Sequence, residues 1–423
     1  MNPRPLLLHA LLPLAALGAG MRDAPIAADA LQYLDGLAWR VTDNSTINIP
    51  ATVPGDLITD LERAGVIPDP LYERNFKSLV WDQTDFTFSL SFAADAAVMG
   101  APTRWLVLDS VKMGAFVWLN GAFLGLVSDQ FLRWKFDVSS ILLAAGNSLY
   151  VTFPPSNSSA NDEARWMAAS GAWDWAPYSS SYNSLRAHTM SKGIVRSAYL
   201  AGVAASSAAV EHLQPRVYYR GAYPTAPLTD AGAGPWDVVA RVHLTAPAAA
   251  SGTLSVSGSW GGSASAPVSL TAGNQSVELT IRVPVGAVSL WWPLNLGAQA
   301  LYNLTATFTP SEGGGAALVV QRRLGFRFFA LVTGNDTDPS TLAGVDGSDS
   351  FSMRWNVNGA KVWSRGANLI PMDEMEGRLS FAAHAQMVKS AAEAGINTFR
   401  VWGGGSFYAD VVYDTADELG IMM

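Results

Sequence analysis

Apolar and polar residues alternate in short runs over 31–204. Residues 86–92 read F-T-F-S-L-S-F, the period-two pattern of a strand with one buried face. Residues 149–153 alternate again, and 105–108 form a continuous apolar run suited to a buried strand. Residues 116–119 and 123–124 flank Asn120-Gly121, a two-residue hairpin turn. Many short strands with turn residues between them predict a β-sandwich or jelly roll. One helix interrupts the pattern at 55–64, closed by Gly65 and followed by Pro68-Asp69-Pro70. Strands continue at 238–244, 252–260, 276–283, 301–308 and 318–329. Their spacing and Gly/Ser turns suit a small immunoglobulin-like β-sandwich.

The period changes after 333–350, an acidic, glycine-containing linker. Residues 351–357, the Asn358-Gly359 turn and 361–363 predict a hairpin, and 361–368 reads as a strand. Phe381, Ala385, Val388 and Ala392 share one face of a helix over 380–394, with Ser380 as N-cap and Gly395 as stop. Next comes N-T-F-R-V-W-G-G-G at 397–405, a short buried strand ending in glycines that let the backbone turn and approach a ligand. A second helix at 408–419 stops at Gly420, and 420–423 begin a third strand. Strand, helix, strand, helix predicts the opening of a parallel α/β array. Ligands gather at the C-terminal ends of such strands, where Asn368, Arg400 and Trp402 fall. About two βα units are present, where a closed barrel has eight.

Composition narrows the function classes. The chain of 423 residues is 49% hydrophobic and 15% charged, as globular proteins are. A net charge of −8 without a dense Lys/Arg cluster argues against nucleic acid or an anionic membrane as partner. The absence of cysteine excludes disulfides, thiol catalysis and cysteine metal sites. His9, His188, His212, His243 and His384 lack ligand spacing, so no metal and no cofactor is expected. Arg4, the apolar run 6–17 and the small residues Ala16, Gly18 and Gly20 have the form of a secretory signal peptide over 1–20, too short to span a bilayer. Sequons at Asn44, Asn157, Asn274, Asn303 and Asn335 fit a glycoprotein of the secretory pathway, lysosomal, vacuolar or extracellular.

Specific motifs add a resemblance. Val53-Pro-Gly-Asp-Leu57, Gly65-Val-Ile-Pro-Asp-Pro-Leu-Tyr72, Leu119-Asn-Gly121, Phe136-Asp-Val138 and Gly193-Ile194 run through the first part. Arg165 precedes Trp173-Asp174-Trp175 and Pro177. Trp291-Trp-Pro293 and Gly325-Phe-Arg327 follow in the second part. Arg365-Gly-Ala-Asn368, Ile370-Pro371, Arg400-Val-Trp-Gly-Gly-Gly405 and Asp417-Glu-Leu-Gly-Ile421 close the series. Together they resemble the β-mannosidases of glycoside hydrolase family 2 over nearly the whole chain. Departures include Gly171, Ala172, Ala176 and Val195, and Phe407-Tyr408 where the family usually has Tyr-Glu.

The resemblance implies a multidomain β plus α/β protein. After the signal come a jelly-roll, sugar-binding-like sandwich at 21–205, an immunoglobulin-like sandwich at 206–332 and the start of a (β/α)8 catalytic barrel at 333–423. It implies an exo-acting, retaining hydrolase of terminal β-D-mannose, with β-mannoside oligosaccharides as partners. The two catalytic glutamates would lie beyond Met423, so no catalytic residue is assigned. Asp373, Asp410, Asp414, Asp417 and Glu418 are poor substitutes, and the last four, on or near a helix, read as surface residues. Arg400 would hold a nucleophilic carboxylate ionised, or else form a structural ion pair. Trp402 would wall a sugar ring, or pack in a core. Asp174, between Trp173 and Trp175, would hold the terminal mannose, or belong to a core strand. Asn368 would order the strand end or touch ligand. Trp81, Trp105, Trp118 and Trp134 read as sandwich core. A non-catalytic carbohydrate-binding or degenerate module, and a sibling β-galactosidase, β-glucuronidase or exo-glucosaminidase, stay open as alternatives.

Overall fold

The computed structural model describes residues 25–73, 75, 80–82, 84–155, 191–311, 315–332, 353–373, 375–403, 405 and 407–423. The expected signal at 1–20 and linker at 333–350 lie outside them. The first part holds β1 (Ala30–Tyr33), β2 (Arg40–Thr42), β3 (Asn48–Pro50), α1 (Leu57–Arg63), β4 (Phe86–Phe92), α2 (Ala96–Met99), β5 (Thr103–Leu108) and β6 (Val111–Lys112). It continues with β7 (Ala115–Leu119), β8 (Ala122–Val127), β9 (Trp134–Asp137), β10 (Asn147–Phe153), β11 (Gly193–Ile194) and β12 (Ala198–Val203). A six-stranded sheet β3-β2-β4-β10-β7-β8 packs with a four-stranded sheet β1-β12-β5-β9, antiparallel throughout.

The alternation of β4 does what its pattern requires. Phe86, Phe88, Leu90 and Phe92 are buried, and Phe88 meets Phe153 of β10 edge-on at 5.5 Å. Asn120 and Gly121 both take positive φ in the tight turn between β7 and β8. Trp81 and Trp105 are core residues, but Trp118 is not. Val117 and Leu119 point inward, so parity places Trp118 on the outer face with Phe116 and Phe123. Trp134 is half-buried and packs against the core.

The second sandwich is built from β13 (Ala209–Tyr219), β14 (Trp236–Ala246), β15 (Ala250–Gly258), β16 (Ser263–Leu270), β17 (Gly273–Val283), β18 (Tyr302–Pro310) and β19 (Leu318–Leu324). Its sheets are β13-β14-β17 and β16-β15-β18-β19. Trp236, Val238, Ala240 and Val242 of β14 share one core with Leu254, Val256, Leu304 and Phe308. The pattern does not predict β16. Its residues are small and include Pro267, which an edge strand tolerates.

Then follow β20 (Phe329–Val332), β21 (Arg354–Val357), β22 (Ala360–Val362), β23 (Gly366–Leu369), α3 (Phe381–Glu393), β24 (Thr398–Val401) and α4 (Asp410–Leu419). The expected strands 318–329 and 361–368 are each broken. Phe326 leaves the first to join the second-sandwich core, where its carbonyl accepts from Trp291 N at 2.9 Å. Asn397 breaks the other. Its Oδ1 accepts from Arg365 N at 2.9 Å and its Nδ2 donates to Trp363 O at 3.0 Å, steering the chain from β22 into β23. β23 and β24 are parallel, and Met422 adds a parallel bridge to Thr398. Ser380 Oγ caps α3 by accepting from Ala383 N at 3.1 Å. Gly420, at φ 78°, ends α4, and a Cβ there would lie 2.5 Å from Leu294 N.

Trp291 joins the second sandwich to this last part. It is 1% exposed, in one cluster with Val357, Val362 and Met422. Its Nε1 donates to Asp417 O at 2.7 Å, and the Arg327 guanidinium lies 4.5 Å over its ring. Asn358 is fully buried, and its Nδ2 donates to Trp291 O at 2.9 Å while its Oδ1 accepts from Phe328 N at 2.8 Å.

Two expectations follow from this packing. Trp291→Ala should lower unfolding free energy by about 3–5 kcal/mol in denaturant titration; a loss under about 1 kcal/mol contradicts the joint. Asp60 accepts from Thr52 N and Arg63 Nη1, yet burial pushes its carboxyl up to about 6 from 3.8. Between these values the folded chain keeps a proton that the unfolded chain has lost. Its contribution to stability therefore falls as pH rises from about 4 to about 6. Asp60→Asn should flatten that part of the stability–pH curve, and an unchanged slope would exclude Asp60 as its source.

Candidate functional site

Parallel pairing places Asn368 directly beside Arg400. Alternation sends Leu369 and Phe399 to the opposite face, where they pack with Val388 of α3 and Val412 of α4. Asn368 and Arg400 are exposed, and Arg400 Nη1 donates to Asn368 Oδ1 at 3.0 Å. Among the described residues no carboxylate pairs with Arg400. Trp402 follows on the Arg400 side of the strand and is half-buried. Its N donates to Leu369 O at 3.1 Å and its O accepts from Gly405 N at 3.0 Å, which closes a turn beyond the strand end. A Cβ at Gly405 would press Pro371 at 3.1 Å, whereas Gly403 faces open space.

Trp173, Asp174 and Trp175 lie outside the described residues. Residues on either side of their segment are firmly held. Lys192 is fully buried and its Nζ donates to Pro154 O at 2.9 Å, while Leu57 N donates to Lys192 O at 2.7 Å. The first sandwich also grips the C-terminal part close by. Phe131 meets Phe407 edge-on at 5.7 Å, and Arg196 Nη2 donates to Phe407 O at 3.3 Å.

Sequence reasoning missed a largely buried contact between these parts. Lys112 Nζ donates to Glu376 Oε1 at 3.0 Å and Oε2 at 3.2 Å. Asp56 Oδ1 caps α1 at Thr59 N, and its Oδ2 accepts from Gly377 N at 2.7 Å. The one available signal was an aspartate directly before an apolar helix. Burial pushes the Glu376 carboxyl up; Lys112 opposes the shift and Asp56 adds to it. Both carboxylates serve this joint and so do not resemble a glycosidase pair flanking a cleft.

The remaining acids are engaged elsewhere. Asp373 pairs with Arg378 at 3.3 Å, Asp410 with Arg322 at 3.5 Å, and Arg323 binds Asp414 at 3.0 Å and Glu418 at 2.5 Å. Burial raises the Asp417 carboxyl, with Arg327 opposing. Asn44 sits in an exposed turn at φ 61°, and Asn274 and Asn303 are exposed on strands. Asn157 and Asn335 lie outside the described residues. Among the described residues no cluster of three or more His, Cys, Asp or Glu is placed to hold a metal, and no helix is long and apolar enough to cross a membrane.

A family model for the glycosyl hydrolase 2 galactose-binding domain-like fold matches residues 39–193. A β-mannosidase of Rattus norvegicus is 27% identical over 98% of this chain and 46% of its own length. β-Mannosidase A of Aspergillus terreus is 26% identical over 95% of this chain and 45% of its own. The chain is related to the β-mannosidases of glycoside hydrolase family 2. It spans about half the length of the curated relatives it matches. The fold is likewise that of the β-D-mannosidase from Dictyoglomus thermophilum, with a TM-score of 0.73 at 24% identity over 93% of this chain and 46% of that one. It is shared with the exo-chitosanase CsxA of Amycolatopsis orientalis, with a TM-score of 0.66 at 18% identity over 93% and 43%.

An exposed arginine with no carboxylate partner among the described residues adds little to stability. Arg400→Ala should shift unfolding free energy by less than about 0.5 kcal/mol. A loss above about 2 kcal/mol in denaturant titration would make Arg400 a structural residue.

Proposed function

We propose that this chain forms the N-terminal half of a retaining exo-β-mannosidase of the secretory pathway, which releases terminal non-reducing β-D-mannose from oligosaccharides. In this reading 21–205 is the jelly-roll sandwich, 206–332 the immunoglobulin-like sandwich, and 333–423 the opening of a (β/α)8 barrel. The observation that carries it is the Asn368–Arg400 pair, exposed at the ends of parallel strands in a chain similar to β-mannosidases along its length.

The chemistry assigns each residue a task. Retaining hydrolysis uses two carboxyl groups about 5–5.5 Å apart, one attacking the sugar and one protonating the leaving oxygen. Both come from later barrel strands. Arg400, oriented by Asn368, keeps the attacking carboxylate ionised through charge-assisted hydrogen bonds. Trp402 offers an apolar wall to one face of the mannose ring. Asp174 accepts hydrogen bonds from the sugar hydroxyls, and Trp173 and Trp175 exclude water around it. The sequons at Asn44 and Asn303, exposed on the fold, suit a secreted or lysosomal glycoprotein.

The 423 residues alone are expected to leave an aryl β-D-mannoside intact, and turnover that follows the purified chain would overturn this. In a protein joining the chain to the remaining barrel strands, Asp174→Ala should lower kcat/KM by about 100-fold, the loss of a charged hydrogen bond in the transition state. The melting temperature should hold. Unchanged kinetics would remove Asp174 from the site.

A further inference from the structure

The two sandwiches meet along a polar cleft of about 460 Å3, a volume that suits a small sugar. It is built on β9, β13, β14 and β17, none of which belongs to the mannoside site proposed above. A bulge between Val210 and His212 shifts the register of β13, where Glu211 reaches across to the first sandwich. Glu211 binds Lys135 and lies 3.4 Å from Arg133 Nη1 and 2.7 Å from Thr245 Oγ1. Arg133 is also bound by Asp109 at 2.5 Å. These bonds hold the sandwiches together without using either histidine of the cleft.

His212 and His243 are cross-strand partners, and His243 is in turn opposite Ser276. Two imidazoles and a hydroxyl thus form one row across three strands. The rings stand edge to face at 6.3 Å, and neither has a hydrogen-bond partner among the described residues. Ser276 Oγ accepts from Arg241 at 3.1 and 3.2 Å, which leaves its O–H to donate. The surrounding charge is mixed. Arg133 and Lys135 line the cleft, and Arg216 and Arg241 flank it on β13 and β14. Arg322, paired with Asp410, acts from β19. Facing them are Glu211, Asp109 behind Arg133, and Glu278, which lies near Arg216 and Arg241. This is a donor-rich hollow in which five cationic side chains outnumber four carboxylates by one.

We propose that the cleft is an accessory site for an oxyanion, the phosphate or carboxylate group of an acidic sugar, held by His212, His243 and Ser276. Burial, then Arg133, keeps the His212 ring below its usual pKa; burial, then Arg241 and Arg216, does the same for His243. Both rings therefore take up a proton at lower pH than a free imidazole, and binding strengthens as pH falls.

The test is calorimetric titration of the chain, made without N-glycosylation so that Asn274 on the rim stays bare. The probes are inorganic phosphate, glucuronate and, as neutral control, glucose. At least one anion should bind near pH 5 and about ten-fold more weakly near pH 7.5, with no binding of glucose. Phosphate alone would identify a phosphorylated sugar as the ligand class, and glucuronate alone a uronic acid. The double variant His212→Gln, His243→Gln should lose binding by about ten-fold or more with its melting temperature unchanged. Should it fail to fold, the wild-type imidazole proton resonances answer instead, because bound anion raises both histidine titration midpoints. Absence of anion binding, affinity independent of pH, equal binding by the folded double variant, or unmoved midpoints would each overturn the proposal.

Discussion

One buried carboxylate, Asp56, fixes how the last part of the chain meets the first. It caps α1 and receives Gly377 N, a residue 321 positions away. A Cβ on Gly377 would lie 2.7 Å from Asp56 Oδ2 and push that carboxylate out of place. Beside it, Lys112 and Glu376 form an ion pair between side chains 2% and 16% exposed. Removing either partner would strand a buried charge, at a cost of about 3–5 kcal/mol. The contact is thus a demanding one, and it sets the position of the turn after β23 and, through it, the strand that carries Asn368.

A second joint acts from the other side. Asn358 occupies a tight turn at φ 51° and satisfies its amide against Trp291 O and Phe328 N. Trp291 in turn donates to Asp417 O at the end of α4. The β20–β22 sheet and α4 are therefore both referred to the second sandwich. Between the two joints, β23 and β24 have their apolar face covered by α3 and α4 and present Asn368 and Arg400 on the other. The exposed pair is consequently positioned by packing behind it rather than by its own hydrogen bond.

Local pattern made much of this legible. The alternation in 86–92, the Asn120-Gly121 and Asn358-Gly359 turns, the Ser380 cap and the Gly420 stop all describe elements whose signals lie within a few residues. Asn368 and Arg400 were also legible, because a parallel array with a short strand before each helix places both at strand ends. What escaped depends on distant partners. β16 has no strong apolar pattern and, as an edge strand, is hydrogen-bonded to β15 alone, with only Val268 and Leu270 buried in the core. Trp118 is hydrophobic yet lies on the outer side because its neighbours set the parity. Asp56 and Gly377, or His212 and His243, become neighbours only through tertiary register, and the bulge before His212 has no glycine or proline to announce it.

The most direct test of the account is a comparison of aryl β-D-glycosides hydrolysed by a protein that carries this chain together with the rest of the barrel. The account predicts that the mannoside is preferred over the glucoside, galactoside, glucuronide and glucosaminide by about ten-fold or more in kcat/KM. A protein that favours any of those sugars over mannose would contradict it.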